Sequence, residues 1–365
     1  MNAAQLLEGK RVCICVGAGG VGKTTTSASV ALGMAARGLK VAVVTIDPAR
    51  RLANALGLER LENEPRLVSA RRLNGLEMRG ELWAMMLDSK RTFDDLIDRV
   101  APTPARAEEI KRNGVYRELS SAVSGSQEFT AIEKLYELVS DDYDLLVLDT
   151  PPAHNALEFL NAPGRLTAFL GGSAAQAFLR PTGIGMRLLG MGAAPLLGAL
   201  RLVTGVDLIS DLIAFFALLG GMTDEFNARA ERVERLLHAP ETAFVLVTSA
   251  ESRPIDEAIW FRETLRENGM PFTGAIVNRV HPALSPGGAH GWAQGGVQRD
   301  LPPELHAKLA ASIAEYTLLA QRDTAGIDRL RASFTGEPIL QVRELDGDVH
   351  DVQGLLAMRA ELFDD

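Results

Sequence analysis

Gly17-Ala18-Gly19-Gly20-Val21-Gly22-Lys23-Thr24 is the stretch whose residue types and spacing can do chemistry. Glycines at 17, 19, 20 and 22 let successive backbone N–H groups turn inward around phosphate oxygens. Lys23 adds a point charge, and the Thr24 hydroxyl is placed to ligate Mg²⁺ at a helix N-terminus whose dipole favours anions. The motif requires a strand before it and a helix after it. An apolar run at 12–16 and a small-residue segment from Thr25 onward meet that requirement, so the chain is read as a nucleotide-binding protein. Asp149 supplies the second half of the machinery: an apolar strand, Leu145-Leu146-Val147-Leu148, ending in Asp holds Mg²⁺, usually through water, opposite the loop threonine.

The elements that must position these residues alternate. Apolar strand candidates at 12–16, 41–46, 82–87, 145–148, 244–247 and 275–277 are separated by helical segments, the pattern of a parallel sheet covered on both faces. Gly38 ends the first long helix, with Arg37 in its last turn. Polar residues close the strands: Asp47, Asp149, Thr248 and Ser249, and Asn278. Ligands gather at the carboxyl ends of strands in open α/β sheets, so these groups are expected to converge on one crevice.

Composition sets the outer limits. The chain has 365 residues and 47% apolar content, ample for a full core in one large α/β domain or two. A net charge of −9 and a pI near 5.3 argue against a nucleic-acid-binding surface, which needs a clustered basic face. The two cysteines, Cys13 and Cys15, alternate onto one face of the first strand and read as core rather than as a disulfide or metal site. The N-terminal residues show no basic segment followed by an apolar stretch, so a cytoplasmic location is expected.

With these residues in place the chain resembles the ArsA group of ATPases, which comprises the arsenite-pump ATPase and the targeting factors that carry tail-anchored membrane proteins. The resemblance rests on the loop, on Thr45-Ile46-Asp47-Pro48-Ala49, on Asp149-Thr150-Pro151-Pro152 and on Val277-Asn278-Arg279, and extends to Glu337-Pro338-Ile339-Leu340. It implies a P-loop NTPase of the deviant Walker A class with ATP and Mg²⁺ as cofactors. Carried over by position, Asp47 orients or deprotonates the attacking water and Lys23 assists at the phosphates. Gly17, Ala18, Gly19, Gly20, Val21, Gly22, Lys23, Thr24 and Thr25 cradle the nucleotide, Asn278 reads the adenine edge and Pro338 lies on the adenine side. Thr24 and Asp149 hold the metal. Ser124-Gly125-Ser126-Gln127-Glu128 resembles a Pro-Gly-x-x-Glu segment of the family, with serine in place of proline.

Three departures bear on activity. The family's loop carries lysine where Ala18 stands, and that lysine reaches across a dimer interface to the partner's phosphates; a charge supplied in trans contributes ~10³ to 10⁵ in rate in the arginine-finger case. Turnover is therefore expected to be low. Asp-Pro-Ala-His-Asn becomes Asp47-Pro48-Ala49-Arg50-Arg51 here, so one of the two arginines replaces the missing lysine or both are solvated residues at a helix start. The cysteine pair that binds zinc between eukaryotic targeting subunits is missing.

Residues 166–222 are mostly Leu, Ala, Gly, Phe, Met and Ile, with only Arg180, Arg187, Arg201, Asp207 and Asp211 charged. The longest uncharged run, 166–179, falls short of the ~20 residues that span a bilayer, so the chain is not itself transmembrane. Gly and Pro divide the segment into short helices, and Met186, Met191 and Met222 give an adaptable apolar surface. Two readings stand: core or dimer contact, or a groove for a hydrophobic segment, with outward residues such as Phe215, Phe216 and Leu219. The histidines at 154, 238, 281, 290, 306 and 350 show no metal-ligand spacing and read as surface or loop. Residues 282–303, with Trp292, read as a surface flap, and Asp346, Asp348 and Asp351 as solvated. The last helix is amphipathic but acidic, whereas a membrane-docking helix would be basic.

The reading is therefore one domain over 1–365, a doubly wound, mostly parallel α/β sheet, with helical insertions at about 90–135 and 160–238 that form a client-binding or interface region. It is expected to act as a homodimer, or as a heterodimer with a paralogue that supplies the lysine, and to be an ATP-driven carrier of hydrophobic or membrane-protein segments. The alternatives are the energising subunit of an anion or metalloid exporter, weakened because arsenite needs clustered thiolates, and a weakly hydrolysing partner within a heterodimer. No nucleic-acid partner is expected.

Overall fold

The computed structural model describes residues 1–47, 49–73, 76–117, 126–151, 214–215, 217–219, 222–283, 302–345, 347 and 349–363. Strands β1 (Val12–Val16), β2 (Lys40–Thr45), β3 (Arg66–Leu67), β4 (Glu81–Met86), β5 (Leu145–Asp149), β6 (Thr242–Ser249), β7 (Phe272–Val280) and β8 (Ile339–Arg343) form one sheet in the order β3-β4-β2-β5-β1-β6-β7-β8. Only β3 runs antiparallel; every other neighbour is parallel. The expected doubly wound sheet is thus present, extended by two edge strands that the apolar runs do not announce. β3 is two exposed residues, and β8 alternates Leu340 and Val342 inward with exposed Gln341 and Arg343, as an edge strand does.

Both faces are covered. One core joins Cys13, Cys15, Val43, Val147 and Val245 to helices α2 (Lys23–Ala36) and α10 (Val352–Phe363). The other joins Val12, Ile14, Leu146, Leu148 and Phe244 to α6 (Ser126–Val139), α7 (Thr223–His238), α8 (Ser252–Glu267) and α9 (Pro303–Ser333). Successive strand residues point to opposite faces, so both cysteines lie in the same layer, fully buried, with their sulfurs 3.9 Å apart. α10 approaches α2 closely because Gly33 has no side chain: a Cβ there would stand 2.0 Å from the Phe363 ring. Gly38, at φ +110°, ends α2 one residue after its C-cap Arg37.

A third core belongs to helices alone. In α4 (Ser89–Val100), capped by Asp88, the buried residues Phe93, Leu96, Ile97 and Val100 recur at helical spacing and need a cover. α5 (Pro104–Arg112), Tyr116, Phe215, Leu218, Leu219, Met222 and Phe226 provide it. Arg106 ties α5 to this segment by donating to the carbonyls of Leu218 and Ala217 at 3.0 and 2.8 Å. Phe215 and Leu219 are therefore core, not outward as expected, because the apolar face of α4 would otherwise stand in water. α4, α5 and the start of α6 occupy the first predicted insertion, and α7 closes the second. Residues 160–213 of the second insertion, Phe216, Ser124, Gly125, His154 and most of the 282–303 flap lie outside the described residues.

Candidate functional site

The phosphate loop leaves β1 at the centre of the sheet and enters α2. Gly17, at φ +152°, passes so close to β6 that a Cβ would sit 1.9 Å from the Val247 carbonyl oxygen. Gly22, at φ +91°, is the left-handed N-cap of α2, and its missing side chain leaves room for Asn278 Nδ2. Lys23 is buried and donates to the carbonyl oxygens of Gly17 at 2.9 Å and Ala18 at 2.7 Å. Burial pulls its pKa down, opposed by the nearby Asp149 carboxylate. Ala18 is 8% exposed and belongs to the core beneath the loop. Its side chain is packed where a charged one would have to emerge.

Asp149 lies beside Cys15 and Thr45 in the parallel register of β1, β5 and β2. Its Oδ2 accepts from Thr24 Oγ1 at 2.7 Å and from Thr45 Oγ1 at 2.8 Å, while Oδ1 has no hydrogen-bond partner among the described residues. Burial pushes this carboxyl up to about 6, against the two hydroxyl bonds and the Lys23 charge, which lower it. A buried carboxylate oxygen with nothing to accept, next to a threonine hydroxyl, fits a hard cation that prefers oxygen. Thr24 and Asp149 are the residues that would hold Mg²⁺. Among the described residues no group of three or more His, Cys, Asp or Glu is placed to hold a metal alone.

Asp47 follows β2. Its Oδ1 accepts from the Ala49 N–H at 2.8 Å, and Arg51 Nε lies 3.7 Å from its Oδ2. The chain turns through Arg50 in the left-handed region, φ 57°, before helix α3 (Arg51–Ala55). This turn separates the two arginines: Arg51 lines the crevice over the phosphate loop, and Arg50 lines a different cavity. Asn278, near the end of β7, donates from Nδ2 to the Val21 carbonyl at 2.9 Å and accepts the Arg279 N–H on Oδ1 at 3.0 Å. It fastens the loop to β7, two strands from β1 in the sheet.

The crevice, about 560 Å³, brings together Gly19, Gly20, Gly22, Lys23, Thr24, Thr25, Asp47, Thr150, Pro151 and Asn278. Its far wall is made by Arg343, Leu345, Val349, His350 and Met358, from the end of β8, the loop after it and α10. His350, read from the sequence as surface or loop, is one of these. Pro338 is not there: it stands just before β8, beside Gly274, and its carbonyl accepts the Ala275 N–H at 2.9 Å, at the opposite end of the parallel strands. The end of β8, not its start, borders the crevice. Thr248 and Ser249 do not line the crevice either. Both are buried, and just beyond them Gly326 lets α9 come against the Ala250 carbonyl. The sequence signal for the missed wall is the inward alternation of Leu340 and Val342, which aims the chain after Arg343 at the crevice mouth.

A family model described as anion-transporting ATPase matches residues 10–287. Among relatives, the ATPase BagA of Mycobacterium tuberculosis is 26% identical over 303 residues, covering 80% of this chain and 72% of that protein. The ATPase GET3 of Kluyveromyces lactis is 26% identical over 278 residues, covering 72% and 70%. The ATPase GET3 of Chaetomium globosum is 32% identical over 151 residues, covering 41% and 42%.

Proposed function

The chain belongs to the anion-transporting ATPase family, and from that premise we propose that it is an ATP-hydrolysing, Mg²⁺-dependent switch whose two nucleotide states reshape the helices beside the sheet. The observation that carries this reading is the meeting of Thr24 and Asp149 at 2.7 Å with Asp149 Oδ1 left open. Mg²⁺, when bound, would neutralise charge on the β- and γ-phosphates.

The protein's own residues do the rest. Backbone N–H groups of Gly19 to Thr24 hold the phosphates, and Lys23 exchanges the carbonyls of Gly17 and Ala18 for phosphate oxygen. Asp47 accepts a proton from the attacking water as its oxygen joins the γ-phosphorus and the bridging P–O bond breaks. Arg51, next to Asp47 and inside the crevice, is the residue we assign to the place of the missing lysine. Asn278 and the wall from Arg343 to Met358 hold the base.

The output we favour is a dimeric carrier of hydrophobic protein segments in the cytoplasm, its apolar contact drawn from residues 166–222. Among the described residues no helix is long and apolar enough to cross a membrane. Support comes from the composition of that segment and from similarity to proteins named GET3. A second reading, a weakly hydrolysing subunit paired with a paralogue, is favoured by the buried Ala18. Phosphate production by the isolated chain with Mg²⁺·ATP decides between them. Turnover that Lys23→Ala abolishes supports a self-sufficient switch; binding without turnover, restored by a paralogue, supports the pair. Nucleotide-dependent capture of an apolar peptide tests the carrier, and equal capture with ADP and ATP would reject it.

A further inference from the structure

A second cavity, about 410 Å³, shares Asp47 and no other residue with the nucleotide crevice. Three guanidinium groups line it: Arg50, at the left-handed turn after Asp47; Arg60, from the loop before β3; and Arg91, in the first turn of α4. Asn63 forms part of the same wall and is only 4% exposed. Its Oδ1 already accepts from the Asp88 N–H at 2.9 Å and the Thr92 hydroxyl at 3.3 Å, which fixes the amide orientation and leaves Nδ2 a donor with no partner among the described residues.

The acidic residues of this wall are each engaged, one of them with a cavity arginine, and Arg91 Nη2 lies 3.4 Å from Glu64 Oε1. Asp88 caps α4 by accepting the Arg91 N–H at 3.0 Å, Glu62 meets Arg60 at 2.5 Å, and Asp47 holds Ala49 N and Arg51. Arg50 makes no ion pair among the described residues. Arg60 and Arg91 are thus each held by one carboxylate and keep further N–H donors, Arg50 forms no ion pair, and the Asn63 Nδ2 lacks an acceptor among the described residues; a tetrahedral oxyanion would complete this donor set.

We propose that this cavity holds the inorganic phosphate formed at Asp47, a station between hydrolysis and release that lies behind the first switch rather than in the nucleotide crevice. The inference rests on the ATPase reading above. Once the bridging P–O bond is broken, the ion is next to Asp47, the one residue common to both chambers, and the guanidinium groups beyond it draw the anion away from ADP. Separate departure of phosphate and ADP follows.

The test uses the full chain saturated with Mg²⁺ and a non-hydrolysable ATP analogue, so that the phosphate loop is filled, and titrates inorganic phosphate by ³¹P NMR. A second experiment follows phosphate release with a fluorescent phosphate sensor in a single turnover, alongside quenched samples that report the chemical step. Phosphate is expected to bind the analogue-loaded protein, and Arg60→Ala combined with Arg91→Ala to weaken it by roughly tenfold or more, as loss of charge-assisted bonds requires. Release, measured against the quenched samples, is expected to speed up. Arg60→Gln with Arg91→Gln, which keeps side-chain length, should behave likewise and guards against misfolding of the alanine pair.

No phosphate binding beside a bound analogue overturns the station and leaves the ATPase reading standing. Failure of the analogue to bind defeats the ATPase reading, and the station with it. Undiminished phosphate affinity in both double variants places the anion elsewhere and overturns the proposal. Weakened affinity with release unchanged overturns the product assignment, since the cavity would then take oxyanions from solution only.

Discussion

Arg51 Nε lies 3.7 Å from Asp47 Oδ2, while Arg50, its neighbour in sequence, faces another chamber. Arg50 stands in the left-handed region as the N-cap of α3, and Arg51 is the first residue of the helix. Arg51→Ala is therefore expected to lower kcat by about 10²-fold, the scale seen when one positioned donor to developing charge is removed. Arg50→Ala should change the chemical step far less. Steady-state and quenched-flow rates of the two variants, measured side by side, check this; equal losses would dissolve the distinction. Ala18→Lys should restore activity in the Arg51→Ala background only if the loop can release its buried residue 18 toward a partner subunit.

Lys23→Ala is expected to abolish tight ATP binding, and Asp47→Asn to keep binding while stopping turnover. Ground-state phosphate contact and water orientation are separate tasks, given to a loop residue and to a residue beyond the next strand. Calorimetric nucleotide binding beside phosphate production measures both. Normal turnover by Asp47→Asn would assign the water to another group.

Asp149 sets a pH dependence of stability in the metal-free protein. Its folded pKa, about 6, stands above its ordinary 3.8, so the folded state keeps the proton to higher pH than the unfolded chain does. Stability from this group is complete below about 4, falls as pH rises through 6, and by pH 7 the charged buried carboxylate costs about 3 kcal/mol. Asp149→Asn should raise the metal-free Tm at pH 7 and flatten the decline between pH 4 and 6, while removing the Mg²⁺ stimulation of hydrolysis. Thermal melts with a chelator across that range show the slope; a variant with the same slope as the parent would move the titration to another group.

Phe215→Ser and Leu219→Ser should each destabilise the helical core by ~2 to 5 kcal/mol, because each removes a large side chain packed with Phe93 and Tyr116. Chemical denaturation followed at the helices is the measurement. A variant that unfolds like the parent yet loses peptide binding would return these residues to the outward role read from the sequence.

The sequence reveals most of the sheet because a strand buried on both faces must be apolar without interruption, as Val12–Val16 and Leu145-Leu146-Val147-Leu148 are. It reveals the phosphate loop because glycine at 17 and 22 answers contacts no other residue tolerates. Edge strands lack that signature: β8 alternates, so the crevice wall after Arg343 stays hidden, and Pro338 lies at the end of its strand away from the crevice. The direction of Phe215 is equally hidden, since an apolar residue reads alike whether it faces a client or the underside of α4. Only the partner helix decides.

The three cores differ in how they are tied together. The two on the sheet meet at shared strands, whereas the one holding Phe93, Tyr116, Phe215 and Phe226 takes no residue from a strand and joins the sheet through α7, which sends Phe226 to it and Val233 and Leu237 to the sheet. A body with its own core can lose it alone, by an excursion smaller than global unfolding. Amide protons of α4 and α5 should then exchange with deuterium through that lesser opening while those of β1 and β5 wait for the whole molecule. The helices can breathe without disturbing the alignment of Thr24 with Asp149.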